Sequence, residues 1–107
     1  MQESFLYVIS ASPEGPVKLG ISLDPERRLG QLQTGHADHL HLYHTAPVPV
    51  EKARLYEKLL HRDIGYRRAR GEWFNLTVEE AIAHVEFTFI EYDLVENLAE
   101  KIRKRWV

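Results

Sequence analysis

The chain has no cysteine. That removes disulfides, thiolate-bound metals and cysteine nucleophiles together. Long apolar runs are also missing. The longest, Phe5 to Ile9, falls far short of the ~20 residues a membrane-spanning helix requires. Met1-Gln2-Glu3-Ser4 offers neither a basic nor an apolar leader, so the expectation is a cytoplasmic protein with no signal peptide and no membrane contact. No P-loop, GxGxxG, GxSxG or HExxH pattern occurs, which takes away the usual motif evidence for nucleotide binding, α/β-hydrolase chemistry and zinc proteolysis. Nor is there excess positive charge. With 14 Lys and Arg against 16 Asp and Glu the net is −2, and global electrostatics make no case for nucleic acid.

What is present is an ordinary globular composition: 107 residues, 44% hydrophobic and 28% charged, enough for one domain with a core. The charge is unevenly distributed. Positions 54–76 are net basic, 77–100 carry acids and no Lys or Arg, and Lys101 to Arg105 is basic again. Of the first two blocks, only the basic one suits phosphates.

Phe5-Leu6-Tyr7-Val8-Ile9 is aromatic and β-branched, a strand composition. Ser12-Pro13-Glu14-Gly15-Pro16 is turn chemistry. Val17 to Ser22 alternates, with Val17, Leu19 and Ile21 on one face and Lys18, Gly20 and Ser22 on the other. The two runs make a hairpin, and Gly20 inside a strand marks close approach of a backbone or ligand. Asp24-Pro25 opens a short helix to about Gln33 that packs Leu29 and Leu32 and stops at Gly35. His39 to Tyr43 alternates as a third strand, which Pro47 and Pro49 are expected to break. A second helix, from about Pro49 to His61, places Ala53, Leu55, Tyr56, Leu59, Leu60 and Ile64 in one apolar arc, with Glu57 on its border. Gly65 to Asn75 reads as a basic, aromatic loop. Thr77-Val78-Glu79-Glu80 is a capping box. It opens a helix whose apolar positions continue to 106, longer than the core needs, so that its outer half suits a second subunit and a homodimer.

Four constellations can carry chemistry, each with a plainer reading. Tyr7, Lys18 and Arg28 could hold a water and a phosphate, Arg28 by its forked geometry; the plainer reading is a packed Tyr7, a solvated Lys18 and an Arg28–Asp24 pair. Glu57 could ligate Mg²⁺, which takes few carboxylates, or simply pair with His61 one turn on. His36, His39, His41 and His44 could hold a metal, line a solvated face, or, through His36, touch substrate. Arg67, Arg68 and Arg70 beside Tyr66 and Trp73 suit phosphates and unstacked bases, or are a charged loop around a core Trp.

In this order the pieces resemble the GIY-YIG nuclease family, in particular its small bacterial and phage single-domain branch. Phe5-Leu6-Tyr7 corresponds to the first motif and Lys18-Leu19-Gly20 to the second. Arg28 falls on the helix that carries the catalytic arginine. Glu57-Lys58-Leu59-Leu60-His61 is similar to that branch's Glu-x-x-Leu-His pattern, and Gly71-Glu72-Trp73-Phe74 to its closing signature. The resemblance implies an α+β fold: a three-stranded antiparallel sheet flanked by helices, with residues 1–76 as the nuclease-like core. Residues 77–107 are left as a long C-terminal helix, packed on that core or on a partner.

It further implies a metal-dependent DNA endonuclease using Mg²⁺ (or Mn²⁺) on Glu57, with Tyr7, Lys18, Arg28 and His61 catalytic. Arg27, His36, Arg67, Arg68, Arg70 and Asn75 would contact DNA of structured or branched form. The family's second-motif tyrosine is Lys18 here. A lysine is a base only if burial or neighbouring cations lower its pKa, and otherwise binds phosphate. A catalytically weak or inactive nucleic-acid-binding module of the same fold is the alternative. An interaction protein assembling through the acidic helix is the third reading.

Overall fold

A computed structural model describes residues 2–105. The strands are β1 (Glu3–Ser10), β2 (Val17–Ser22), β3 (His41–Pro49), β4 (Arg68–Arg70) and β5 (Trp73–Phe74); the helices are α1 (Pro25–Thr34), α2 (Ala53–Ile64) and α3 (Val78–Arg105). The fold is α+β, with an antiparallel sheet of strand order β3-β1-β2-β5-β4.

Register divides the sheet into two faces. Leu6 opposite Ile21 and Val8 opposite Leu19 share one face, and Tyr7 opposite Gly20 and Ile9 opposite Lys18 the other. The first face joins Val17, Ala46, Val48 and Phe74 in the main core, against Tyr56, Leu60 and Ile64 of α2 and Ala81 and Val85 of α3. The second face makes a smaller cluster of Tyr7, Ile9 and Leu40, onto which α1 lays Leu29 and Leu32. Alternation in the strands thus becomes a two-sided sheet between α1 and the α2–α3 pair.

The expected central elements form, with shifted boundaries. Asp24 caps α1 by accepting from the Arg27 N–H at 3.1 Å, with Pro25 at the helix start. Gly35 follows α1 with an ordinary φ of −99° and supplies no left-handed cap. The capping box forms: Thr77 Oγ1 accepts from the Glu80 N–H at 3.1 Å, and Glu80 returns a carboxylate oxygen to the Thr77 N–H at 3.0 Å.

Three expectations change. Pro47 and Pro49 do not break the third strand. They lie inside β3, opposite Phe5 and Glu3, and β3 is an edge strand, where a missing N–H on the outer side costs no ladder bond. The second helix therefore starts later than Pro49, after a 3₁₀ turn at Val50–Lys52, and runs to Ile64; Leu55 is exposed instead of packed. The stretch from Gly65 to Asn75 is not a plain loop. After a 3₁₀ turn it forms the β4–β5 hairpin, turning at Gly71 with φ +55°, so the three expected strands become five. Position 106 of the last helix lies outside the described residues.

Substitutions separate the core from its boundary. Leu60→Ala, at a fully buried site, should cost ~2–5 kcal/mol, whereas Thr77→Ala should cost only ~1 kcal/mol for the lost cap. Chemical denaturation with circular dichroism measures both.

Candidate active site

The outer edge of β2 is only half covered. β5 has two residues and pairs with Val17 and Lys18 alone. Beyond them the outward-pointing backbone groups of β2 need other partners. The Leu19 N–H donates to the Glu72 carbonyl at 3.2 Å. The Leu19 carbonyl accepts from His61 Nε2 at 2.9 Å. The Ile21 N–H lies toward the Glu57 carboxylate and favours its ionised form. Through this opening α2, which belongs to the main-core face, reaches the side of the sheet that carries Tyr7 and Lys18.

The result is a cluster. Glu57, His61 and Glu72, all half-buried, have ligand atoms within 4.8 Å of one another. A carbonyl can only accept, so His61 Nε2 is the donor here and Nδ1 is the ring nitrogen left to face a metal. A histidine held by a backbone carbonyl on one nitrogen, with the other free, has the arrangement of a metal ligand. Burial pushes the Glu57 carboxyl above its ordinary range, and the Glu72 charge pushes it further; His61 and the Ile21 N–H oppose this. Two close carboxylates beside an imidazole form a donor set that a divalent cation would relieve. Oxygen-rich ligation with open positions for water suits Mg²⁺, and one nitrogen is acceptable to Mn²⁺.

Beside the cluster, Tyr7 is almost fully buried, and its hydroxyl lies over Gly20. A Cβ at Gly20 would sit 2.5 Å from Tyr7 Oη, so glycine is needed for this approach, as the isolated glycine in the strand predicts. Burial raises the Tyr7 pKa. The Arg28 guanidinium beside the hydroxyl pulls it down, and the charges of Glu72 and Glu57 push it up. Lys18, 8% exposed, pairs with Glu72 at 3.2 Å and lies 5.8 Å from the centre of the Trp73 ring.

Of the expected catalytic and metal residues, Tyr7, Lys18, Arg28, Glu57 and His61 converge here. Arg28 does not pair with Asp24, which caps α1 through Arg27 instead. The expected DNA contacts are scattered. His36, stacked on Trp73 at 5.5 Å, and Arg70 line a separate groove of about 800 Å³ with Asp38, His39 and His41. Arg67 faces Glu80 at 3.8 Å and Arg68 donates to the Gly71 carbonyl, so both brace the hairpin. The backbone of Asn75 closes it, donating to the Arg67 carbonyl at 2.7 Å. The side chain of Arg27 is exposed on α1.

Among the described residues His36, His39, His41 and His44 form no group of three ligands close enough to share one metal ion. His39 and His41 rings touch at 4.6 Å, and His44 turns to Glu86 at 3.3 Å. Among the described residues the metal-capable group of three is Glu57, His61 and Glu72. The residue the sequence reading missed is Glu72. Its signal was the Gly71-Glu72-Trp73-Phe74 stretch, an acid between a turn glycine and two aromatics; its partners are far away in sequence.

The T5orf172 domain family matches residues 4–89, an interval containing every residue of this cluster. No curated protein and no solved structure matches the chain.

Two outcomes check the site. Gly20→Ala should cost ~1–3 kcal/mol through the clash with Tyr7, read in denaturant melts. Glu57 has a raised folded pKa, so its contribution to stability is present at low pH and lost as pH rises through that value. Glu57→Gln should therefore raise the melting temperature at neutral pH, and the gain should shrink as pH falls through the carboxylate range. An equal difference at all pH would contradict the proposed crowding.

Proposed function

We propose that this chain, which belongs to the T5orf172 domain family, is a divalent-metal-dependent endonuclease of GIY-YIG type that hydrolyses DNA phosphodiester bonds. The observation that carries the reading is the convergence of Glu57, His61 and Glu72 beside Tyr7, Arg28 and Lys18. Phosphodiester hydrolysis needs these parts together: a positioned water, a cation-binding carboxylate set and guanidinium charge for the pentacovalent phosphate.

Glu57 and Glu72, with His61, would hold the cation; when bound, it supplies Lewis-acid stabilisation to the leaving oxygen. Tyr7, kept as a neutral phenol by burial, presents its hydroxyl to orient the attacking water. Arg28 lies next to that hydroxyl and stabilises charge on the phosphate oxygens. Lys18, anchored by Glu72, stands in the position of the second-motif tyrosine and serves as a phosphate-binding cation. The groove at His36, Arg70 and Trp73 lies on the same side of β5 as Lys18 and offers ring faces and a guanidinium to the flanking strand. A structured or branched DNA, with unpaired nucleotides to place there, fits it better than a long recognition sequence.

The test is cleavage of labelled duplex, single-stranded, flap and four-way-junction DNA with Mg²⁺, Mn²⁺ or EDTA. Wild type should nick in a metal-dependent way. Glu57→Ala and Glu72→Ala should lose nicking while keeping most DNA binding, and Arg28→Ala should lower the rate ~10²–10³-fold. Binding that weakens with salt, with no cleavage of any substrate, would replace the nuclease by a nucleic-acid-binding module of the same fold.

A further inference from the structure

The second half of α3 leaves the core. Its buried positions, Val78, Ala81, Val85, Thr88 and Tyr92, end at Tyr92, and the family match ends at 89. Beyond lies an apolar ridge: Ile90, Leu94, Leu98 and Ile102 are 57, 65, 60 and 48% exposed. At about 100° per residue these four, with Phe87, fall within an arc of about 120°. That arc faces away from the core-facing row. Side chains at i, i+4 spacing form the kind of ridge that seats in the groove of another helix.

The same face carries opposite charge at its two ends. One end is a hollow of about 490 Å³ lined by Asp63, Ala83, His84, Phe87 and Glu91. Asp63 and Glu91 give it a net negative charge, since the single Arg62 contacts one oxygen of each and their second oxygens are buried without a hydrogen-bond partner among the described residues. The other end is a hollow of about 330 Å³ lined by Leu98, Lys101, Ile102, Lys104 and Arg105. The ridge is also symmetric in sequence about position 96: Ile90 mirrors Ile102, and Leu94 mirrors Leu98.

We propose that this face is a homodimer interface, in which the α3 helices of two copies pair antiparallel about a two-fold axis near position 96. In that register Ile90 meets the second copy's Ile102, Leu94 meets its Leu98, and Glu91 meets its Lys101. The acidic hollow then receives the basic end. A parallel pairing sets the four bases of 101–105 against four bases and acids against acids. An isologous interface requires self-complementarity, and the antiparallel register supplies it in both shape and charge.

Light scattering across a dilution series on the order of 1–100 μM should give twice the 12.5 kDa of the chain, falling to the monomer for Leu94→Glu/Leu98→Glu with an unchanged circular dichroism spectrum. Glu91→Lys should weaken the dimer at least tenfold, and Glu91→Lys/Lys101→Glu should restore it. Because the chain has no cysteine, a short thiol cross-linker reports the register. Leu94→Cys mixed with Leu98→Cys should cross-link between chains, while each alone should do so poorly. A monomer throughout, a dimer indifferent to the ridge, or efficient Leu94→Cys self-cross-linking would overturn the proposal. None of these outcomes bears on DNA cleavage.

Discussion

The outer edge of β2 is the constraint from which the candidate site follows. A sheet edge presents backbone donors and acceptors that must be met, and β5 meets them only as far as Lys18. The remaining groups are taken by the Glu72 carbonyl, the His61 imidazole and the Glu57 carboxylate. Satisfying the strand and assembling the cluster are thus one event. A longer β5 would complete the ladder and shut α2 away from Tyr7 and Lys18.

The cluster is held against its own electrostatics. Glu57 and Glu72 repel in a partly desolvated place, and burial keeps the Tyr7 hydroxyl protonated. Lys18 and Arg28 offset part of that charge, without removing the crowding of the two carboxylates. Such crowding is tolerable because the supporting elements are rigid: a central hairpin, a helix with four core residues and a short aromatic strand. Pre-arranged charge of this kind is what phosphate chemistry uses and what stability alone would not select.

α3 serves two regions of the molecule. Its first half is core, closing the sheet with Ala81 and Val85. Its second half carries an apolar ridge with acid at one end and base at the other. The helix is held together by its capping box and internal pairs such as Tyr92–Glu96 and Glu100–Arg103. The low amphipathicity of the whole follows from two apolar faces that point in different directions.

Much of this was legible in the residues themselves. Local chemistry determined the β1–β2 hairpin, the Asp24-Pro25 helix start, the Thr77 capping box and the border position of Glu57, because turns, caps and periodicity act over a few positions. Gly20 announced a close approach, although not what would approach it. The tertiary structure decided the rest. Pro47 and Pro49 sit in β3 because that strand is an edge, a fact of sheet order. The hairpin at Gly71 exists because Trp73 and Phe74 find Lys18 and Val17. Glu72 joins Glu57 and His61 because β5 stops after two residues, and Arg28 comes beside Tyr7 because α1 packs on the sheet face that carries it. Those outcomes depend on which groups are left unpaired once distant segments meet, and no local pattern encodes that.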